Sequence, residues 1–129
     1  MTRMAKTILI VDDERDIRDV AQMSLELVGG WSVITAGSGA EAIEIAARER
    51  PDAILLDVMM PEMDGPTTFR RLRSSPPTAG IPVILLTAKV QTNDRRGFDD
   101  LGVEGVIPKP FDPVTLSARV SEILDEAPA

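Results

Sequence analysis

Cysteine, histidine and tyrosine are absent from this 129-residue chain, and aromatic residues make up only 3% of it. Without cysteine there can be no disulfide, no thiolate nucleophile and no Cys-based zinc or iron site. Without histidine the commonest general base and the commonest transition-metal ligand are missing. Any chemistry must therefore use carboxylates, hydroxyls, lysine and hard cations. The scarcity of aromatics removes the stacking platforms on which single-stranded nucleic acids are bound. Positive charge is also short: 14 basic residues face 21 acidic ones, a net charge of −7. That balance opposes the phosphate neutralisation on which direct nucleic-acid binding depends. No apolar run approaches the ~20 residues of a membrane-spanning helix, and the first residues lack the apolar core of a signal peptide. The expected setting is the cytoplasm, without membrane or nucleic-acid contact, and the expected partners are proteins.

An apolar fraction of 43% and a charged fraction of 27% fit one soluble domain spanning residues 1–129. Five short β-rich runs recur, at Thr7–Val11, Trp31–Ala36, Ala53–Leu56, Val83–Leu86 and Glu104–Ile107. The first, third and fourth are almost continuously apolar, as parallel strands buried on both faces are. Helical spacing separates them. Glu14–Val28 carries Ile17, Val20, Ala21, Leu25 and Val28 on one stripe, and Ser38–Arg48 carries Ala42, Ile43 and Ala46. Ser38 with Glu41 has the pattern of a capping box, while Asp64 and Pro66 suit the start of a helix over Asp64–Arg73. A further helix is expected over Pro113–Leu124, and a weaker one, interrupted by Gly97, over Asp94–Leu101. Regular alternation of strand and helix predicts an α/β fold with a parallel sheet, and five such units fit the flavodoxin-like order 2-1-3-4-5 with five helices. Pro108, which abuts the last run, suits a sheet edge.

Ligands of such sheets collect beyond the carboxyl ends of the strands. Asp12 and Asp13 end the first run, Asp57 the third, Thr87 and Ala88 the fourth, and Lys109 follows the fifth. The three carboxylates repel one another unless a cation intervenes. An all-oxygen set suits Mg²⁺, which keeps some of its waters and shares oxygens with a phosphoryl group. Lys109 and the Thr87 hydroxyl are placed to meet the oxygens of such a group, and the amides after Asp57 and Thr87 are further donors.

These residues lie in a pattern that covers Lys6 to Leu124: Asp12–Asp13, Asp57 with Met60–Pro61 and Asp64–Gly65, Thr87–Ala88, and Lys109–Pro110–Phe111. The pattern resembles the receiver domain of two-component response regulators, in particular the single-domain, chemotaxis-regulator-like kind. The resemblance implies phosphorylation of Asp57 by a sensor histidine kinase or phosphotransfer protein, and a switched contact with a downstream protein target. It implies Mg²⁺ held by Asp13, Asp57 and the main-chain carbonyl of Met59, with Asp12 reaching the metal through water or orienting its ligands. Thr87 becomes the switch hydroxyl, Ala88 its neighbour in the phosphate-binding turn, and Lys109 the phosphate-binding lysine in a peptide that is often cis. Val106 departs from the pattern, because the family places an aromatic ring there whose rotation reports phosphorylation. The signalling route through that position is therefore expected to differ.

Two alternatives stand beside this reading. An aspartyl-phosphate phosphatase of the haloacid-dehalogenase type also uses a strand-end aspartate, but it wants a second acid where Met59 stands. The receiver half of a larger transcriptional regulator shares every motif above. The initial Met1 and the full last helical stretch favour a stand-alone protein.

Overall fold

The structure is a computed structural model that describes residues 6–88 and 102–126. Its strands are β1 (Thr7–Val11), β2 (Ser32–Ala36), β3 (Ala53–Asp57), β4 (Val83–Thr87) and β5 (Gly105–Pro108). Its helices are α1 (Arg15–Leu27), α2 (Gly39–Glu49), α3 (Gly65–Arg73) and α4 (Leu116–Glu126). The strands form one parallel sheet in the order β2-β1-β3-β4-β5. The expected architecture is thus present, with four helices among the described residues; the helix expected over 94–101 lies outside them.

Alternate residues of the central strands feed two cores. On one face Leu9, Ile54, Leu56, Leu85 and Val106 pack with Ala42 and Ala46 of α2 and Phe69 and Leu72 of α3. On the other, Ile8, Ile10, Leu55, Ile84 and Ile107 pack with Ala21 and Leu25 of α1 and Leu116 and Val120 of α4. Because β1, β3 and β4 are covered on both faces, nearly every one of their residues is apolar. Pro108 ends β5, the edge strand, where it leaves no central ladder position without a donor.

The caps follow the sequence. The Ser38 side chain accepts the Glu41 amide at 3.2 Å, and Asp64 Oδ1 accepts the Thr67 amide at 2.8 Å. Two details differ from expectation. The buried stripe of α1 is Ala21, Ser24 and Leu25, whereas Val20 and Val28 are exposed. Ser24 is drawn inward because its hydroxyl donates to the Pro113 carbonyl, which rotates Val20 to the outside. In addition, α4 begins at Leu116 and not at Pro113, because Asp112 first closes a turn, its Oδ1 accepting the Val114 amide at 2.9 Å.

Candidate functional site

Parallel pairing aligns the strand ends, so register decides which side chains meet. Val11 pairs with Leu56, Asp57 with Leu86, and Thr87 with Pro108. Asp12, Asp57, Thr87 and Lys109 therefore emerge side by side at one edge. Asp12, Asp57 and Thr87 are buried, while Asp13 is exposed at the rim.

Four groups hold Asp12. Its amide donates to the Ala36 carbonyl at 3.1 Å, and its Oδ1 accepts the Glu14 amide at 2.9 Å. Its main-chain carbonyl accepts Arg18 Nη1 at 2.8 Å. Its Oδ2 lies 2.8 Å from Lys109 Nζ, an ion pair without the directionality of a hydrogen bond. Lys109 Nζ also donates to Asp57 Oδ1 at 3.1 Å. The Lys109–Pro110 peptide is cis, and the Lys109 amide donates to the Thr87 carbonyl at 2.8 Å.

Gly65 shapes the other side. A Cβ there would stand 2.6 Å from the Asp57 carbonyl oxygen and 2.8 Å from Val58 Cα, so only glycine lets α3 start this close to the end of β3. The Gly65 amide donates to the Val58 carbonyl at 2.9 Å. Asp64, Gly65 and Pro66 thus act together: a cap, a close approach and a helix start.

Burial raises the Asp57 carboxyl to about 6, with the charges of Asp12 and Asp13 adding to the rise and Lys109 opposing it. Burial also disfavours the charged Lys109, but its contacts with Asp12 and Asp57 outweigh this and leave its ammonium more basic than usual. One oxygen from each of Asp12, Asp13 and Asp57 can be found with all three inside 4.8 Å of one another. Three carboxylates facing one ammonium leave an excess of negative charge, and Asp12 Oδ2 is buried without a hydrogen bond. That surplus of carboxylate charge in an all-oxygen set fits a hard divalent cation.

The structure thus brings together Asp12, Asp13, Asp57, Thr87, Ala88 and Lys109. The Met59 side chain is exposed. Val106 lies apart, buried in β5 opposite Leu85 as part of the core. Arg18 and the Glu14 amide both hold Asp12, although neither belongs to the motifs that mark the site. No sequence signal marks Arg18, which is one charge among Arg15, Asp16 and Asp19.

A five-stranded parallel sheet in the order β2-β1-β3-β4-β5, with acids and a lysine at its carboxyl edge, is a flavodoxin-like α/β fold. The response regulator receiver domain model matches residues 8–121, and the chain belongs to that family. Response regulator MprA of Mycobacterium leprae is 43% identical over 117 residues, which are 91% of this chain and 50% of that protein. The probable transcriptional regulatory protein TcrX of Mycobacterium tuberculosis is 41% identical over 118 residues, 92% of this chain and 49% of that one. The chain spans about half the length of these curated relatives. Among solved structures, the Vibrio cholerae chemotaxis protein CheY4 superposes with a TM-score of 0.86 at 30% identity, over 93% of this chain and 99% of that one. No described helix is long and apolar enough to cross a membrane.

Proposed function

We propose that this receiver domain is a switch set by transfer of a phosphoryl group from a phosphohistidine protein, a sensor kinase or a phosphotransfer protein, to Asp57. The observation that carries the reading is the Asp57 carboxyl itself: buried at the end of β3, 3.1 Å from Lys109 Nζ and beside the Asp12 and Asp13 carboxylates. With its pKa at about 6, Asp57 is largely ionised at neutral pH and ready as a nucleophile. Its oxygen forms the new O–P bond as the P–N bond to the donor imidazole breaks; the leaving nitrogen keeps the electron pair and takes a proton from solvent. Asp13, Asp57 and the Met59 carbonyl would hold Mg²⁺, with Asp12 orienting that set, and the ion would supply positive charge for the phosphoryl oxygens. Lys109 then turns its ammonium from the carboxylates to a phosphoryl oxygen, while the Thr87 hydroxyl and a main-chain amide of the Thr87–Ala88 turn donate to others.

A protein donor is supported by an apolar face that α1 shares with the loop after Lys109. Val20, Met23 and Leu27 of α1 and its C-cap Val28 are exposed and adjoin Pro113 and Val114, in the loop that follows Lys109. Such a contiguous patch suits a helical protein partner. Since Val106 has no ring to rotate, the switched contact with the downstream target runs through the loop after Thr87 and the stretch 94–101, which lies outside the described residues.

Labelling with acetyl phosphate tests the reading. Wild type should gain a hydroxylamine-labile phosphoryl group only with Mg²⁺, and Asp57→Asn should gain none. Equal labelling of the two proteins overturns the assignment. A second reading, the receiver part of a longer transcriptional regulator acting in the cytoplasm, is favoured by the twofold length of MprA and TcrX. An open reading frame that continues past Ala129 into an output domain decides for it.

A further inference from the structure

We propose that Arg18 is a positioning residue for the acidic turn, holding the Asp12 carbonyl so that Asp12 and Asp13 present their carboxylates to a divalent cation, and that Gly37 is the opening through which it reaches. The inference rests on the cation-binding role proposed above for Asp12, Asp13 and Asp57.

The β1–β2 pairing ends at Val11 and Ala36, with one further bond from the Asp12 amide to the Ala36 carbonyl. Beyond that point the ladder supplies nothing more, and the Asp12 carbonyl must find a partner elsewhere. Arg18 provides it at 2.8 Å from the first turns of α1, where its own amide is fixed to the Glu14 carbonyl at 3.1 Å. A guanidinium is a planar donor that stays charged, so the bond is charge-assisted and directional. It closes a small ring: Glu14 donates to Asp12 Oδ1, Arg18 donates to Asp12 O, and Asp13 is held between them. Asp13 is exposed and lacks packing of its own to orient it, so the geometry of this turn sets where its carboxylate points.

Gly37 follows Ala36 and so stands alongside Asp12. A Cβ at this position would come within 3.3 Å of Arg18 Nη1 and 3.8 Å of Cζ. Gly37 has no left-handed backbone conformation that would demand glycine. What a side chain there would meet is the guanidinium that passes over it. A larger residue would push Arg18 off the Asp12 carbonyl and leave its charge nearby.

Two effects of Arg18 on a cation oppose each other. Its charge repels the ion, while its hydrogen bond preorganises the ligands. The hydrogen bond ends directly on the turn, whereas the charge is half-exposed and screened by solvent. Preorganisation therefore dominates. Groups that orient metal ligands typically change affinity by about 10–100-fold.

The test is Mg²⁺ titration by calorimetry at fixed neutral pH, on wild type, Arg18→Met, Gly37→Val, the double variant and Arg18→Lys. The expected result is binding about tenfold weaker in Arg18→Met and in Gly37→Val, no further loss in the double variant, and partial recovery in Arg18→Lys. Non-additivity is the sign of one shared contact, which general loosening does not produce. Arg18→Met binding Mg²⁺ as tightly as wild type, or more tightly, overturns the proposal, as do additive losses. Asp13→Ala separates this from failure of the site itself. If Asp13→Ala binds Mg²⁺ like wild type, the cation-site reading has failed; if only the Arg18 and Gly37 variants do, the positioning role alone has.

Discussion

Asp57 is held between burial and two neighbouring acids, which oppose its ionisation, and Lys109, which favours it. With its carboxyl at about 6, protons compete with a cation for the same oxygens just below neutrality. Mg²⁺ affinity should therefore fall about tenfold from pH 7 to pH 5, as calorimetry at the two values will show. Affinity unchanged over that interval would contradict the placement of Asp57 among the ligands. Lys109 sets a different balance. Its ammonium lies against Asp12 Oδ2 and Asp57 Oδ1, within the carboxylate cluster proposed for the cation. Lys109→Met should bind Mg²⁺ more tightly than wild type, yet label from acetyl phosphate about 10²-fold more slowly, because a transition-state donor is lost. Weaker Mg²⁺ binding in this variant would mean that the amine organises the carboxylates and does not compete for them.

At the scale of elements, the approach of α3 to the end of β3 separates stability from site geometry. Asp64 caps α3 through the Thr67 amide, and that hydrogen bond also holds its carboxyl below the usual range. Asp64→Ala should cost about 1 kcal/mol in urea unfolding and leave Mg²⁺ affinity nearly unchanged. Gly65→Ala should cost more, about 1–3 kcal/mol, and should also weaken Mg²⁺ binding. Its Cβ would press on the Asp57 carbonyl at 2.6 Å, and backbone there cannot step aside without moving the carboxylate. The pair Asp64–Gly65 was legible in the sequence as a motif, but its division of labour was not. Likewise the apolar period of α1 was visible while its rotation was not. Ser24 reads as polar until the Pro113 carbonyl, 89 positions along, is found to accept its hydroxyl.

For the whole molecule the raised Asp57 carboxyl makes stability depend on pH in an unusual sense. Between the ordinary carboxyl value of 3.8 and about 6, the folded protein retains a proton that the unfolded chain has released. Without Mg²⁺, stability therefore falls as pH rises through this window. Saturating Mg²⁺ should reverse the slope, since it binds the ionised form of the folded state. Urea unfolding of wild type against Asp57→Asn at pH 4 and pH 7, in EDTA, isolates the effect. A difference that does not vary with pH would remove Asp57 as its source.

Much of this protein was determined by its sequence alone. Alternation of apolar runs with helical stretches specifies a parallel α/β sheet, because strands covered on both faces must be apolar throughout. The residue types at the ends of those runs specify an oxygen-only site, because cysteine and histidine are absent from the chain. Tertiary structure alone decided how those groups are used. Burial and two facing carboxylates move Asp57, and Lys109 spans Asp12 and Asp57 only because β4 and β5 bring it alongside both. Arg18 and Gly37 carry no motif, and meet at the Asp12 carbonyl because α1 folds back over the end of β2. Periodicity and residue type are local properties that a sequence displays directly. Electrostatic fields and interlocking contacts depend on distances between segments far apart in the chain, and those exist only once it has folded.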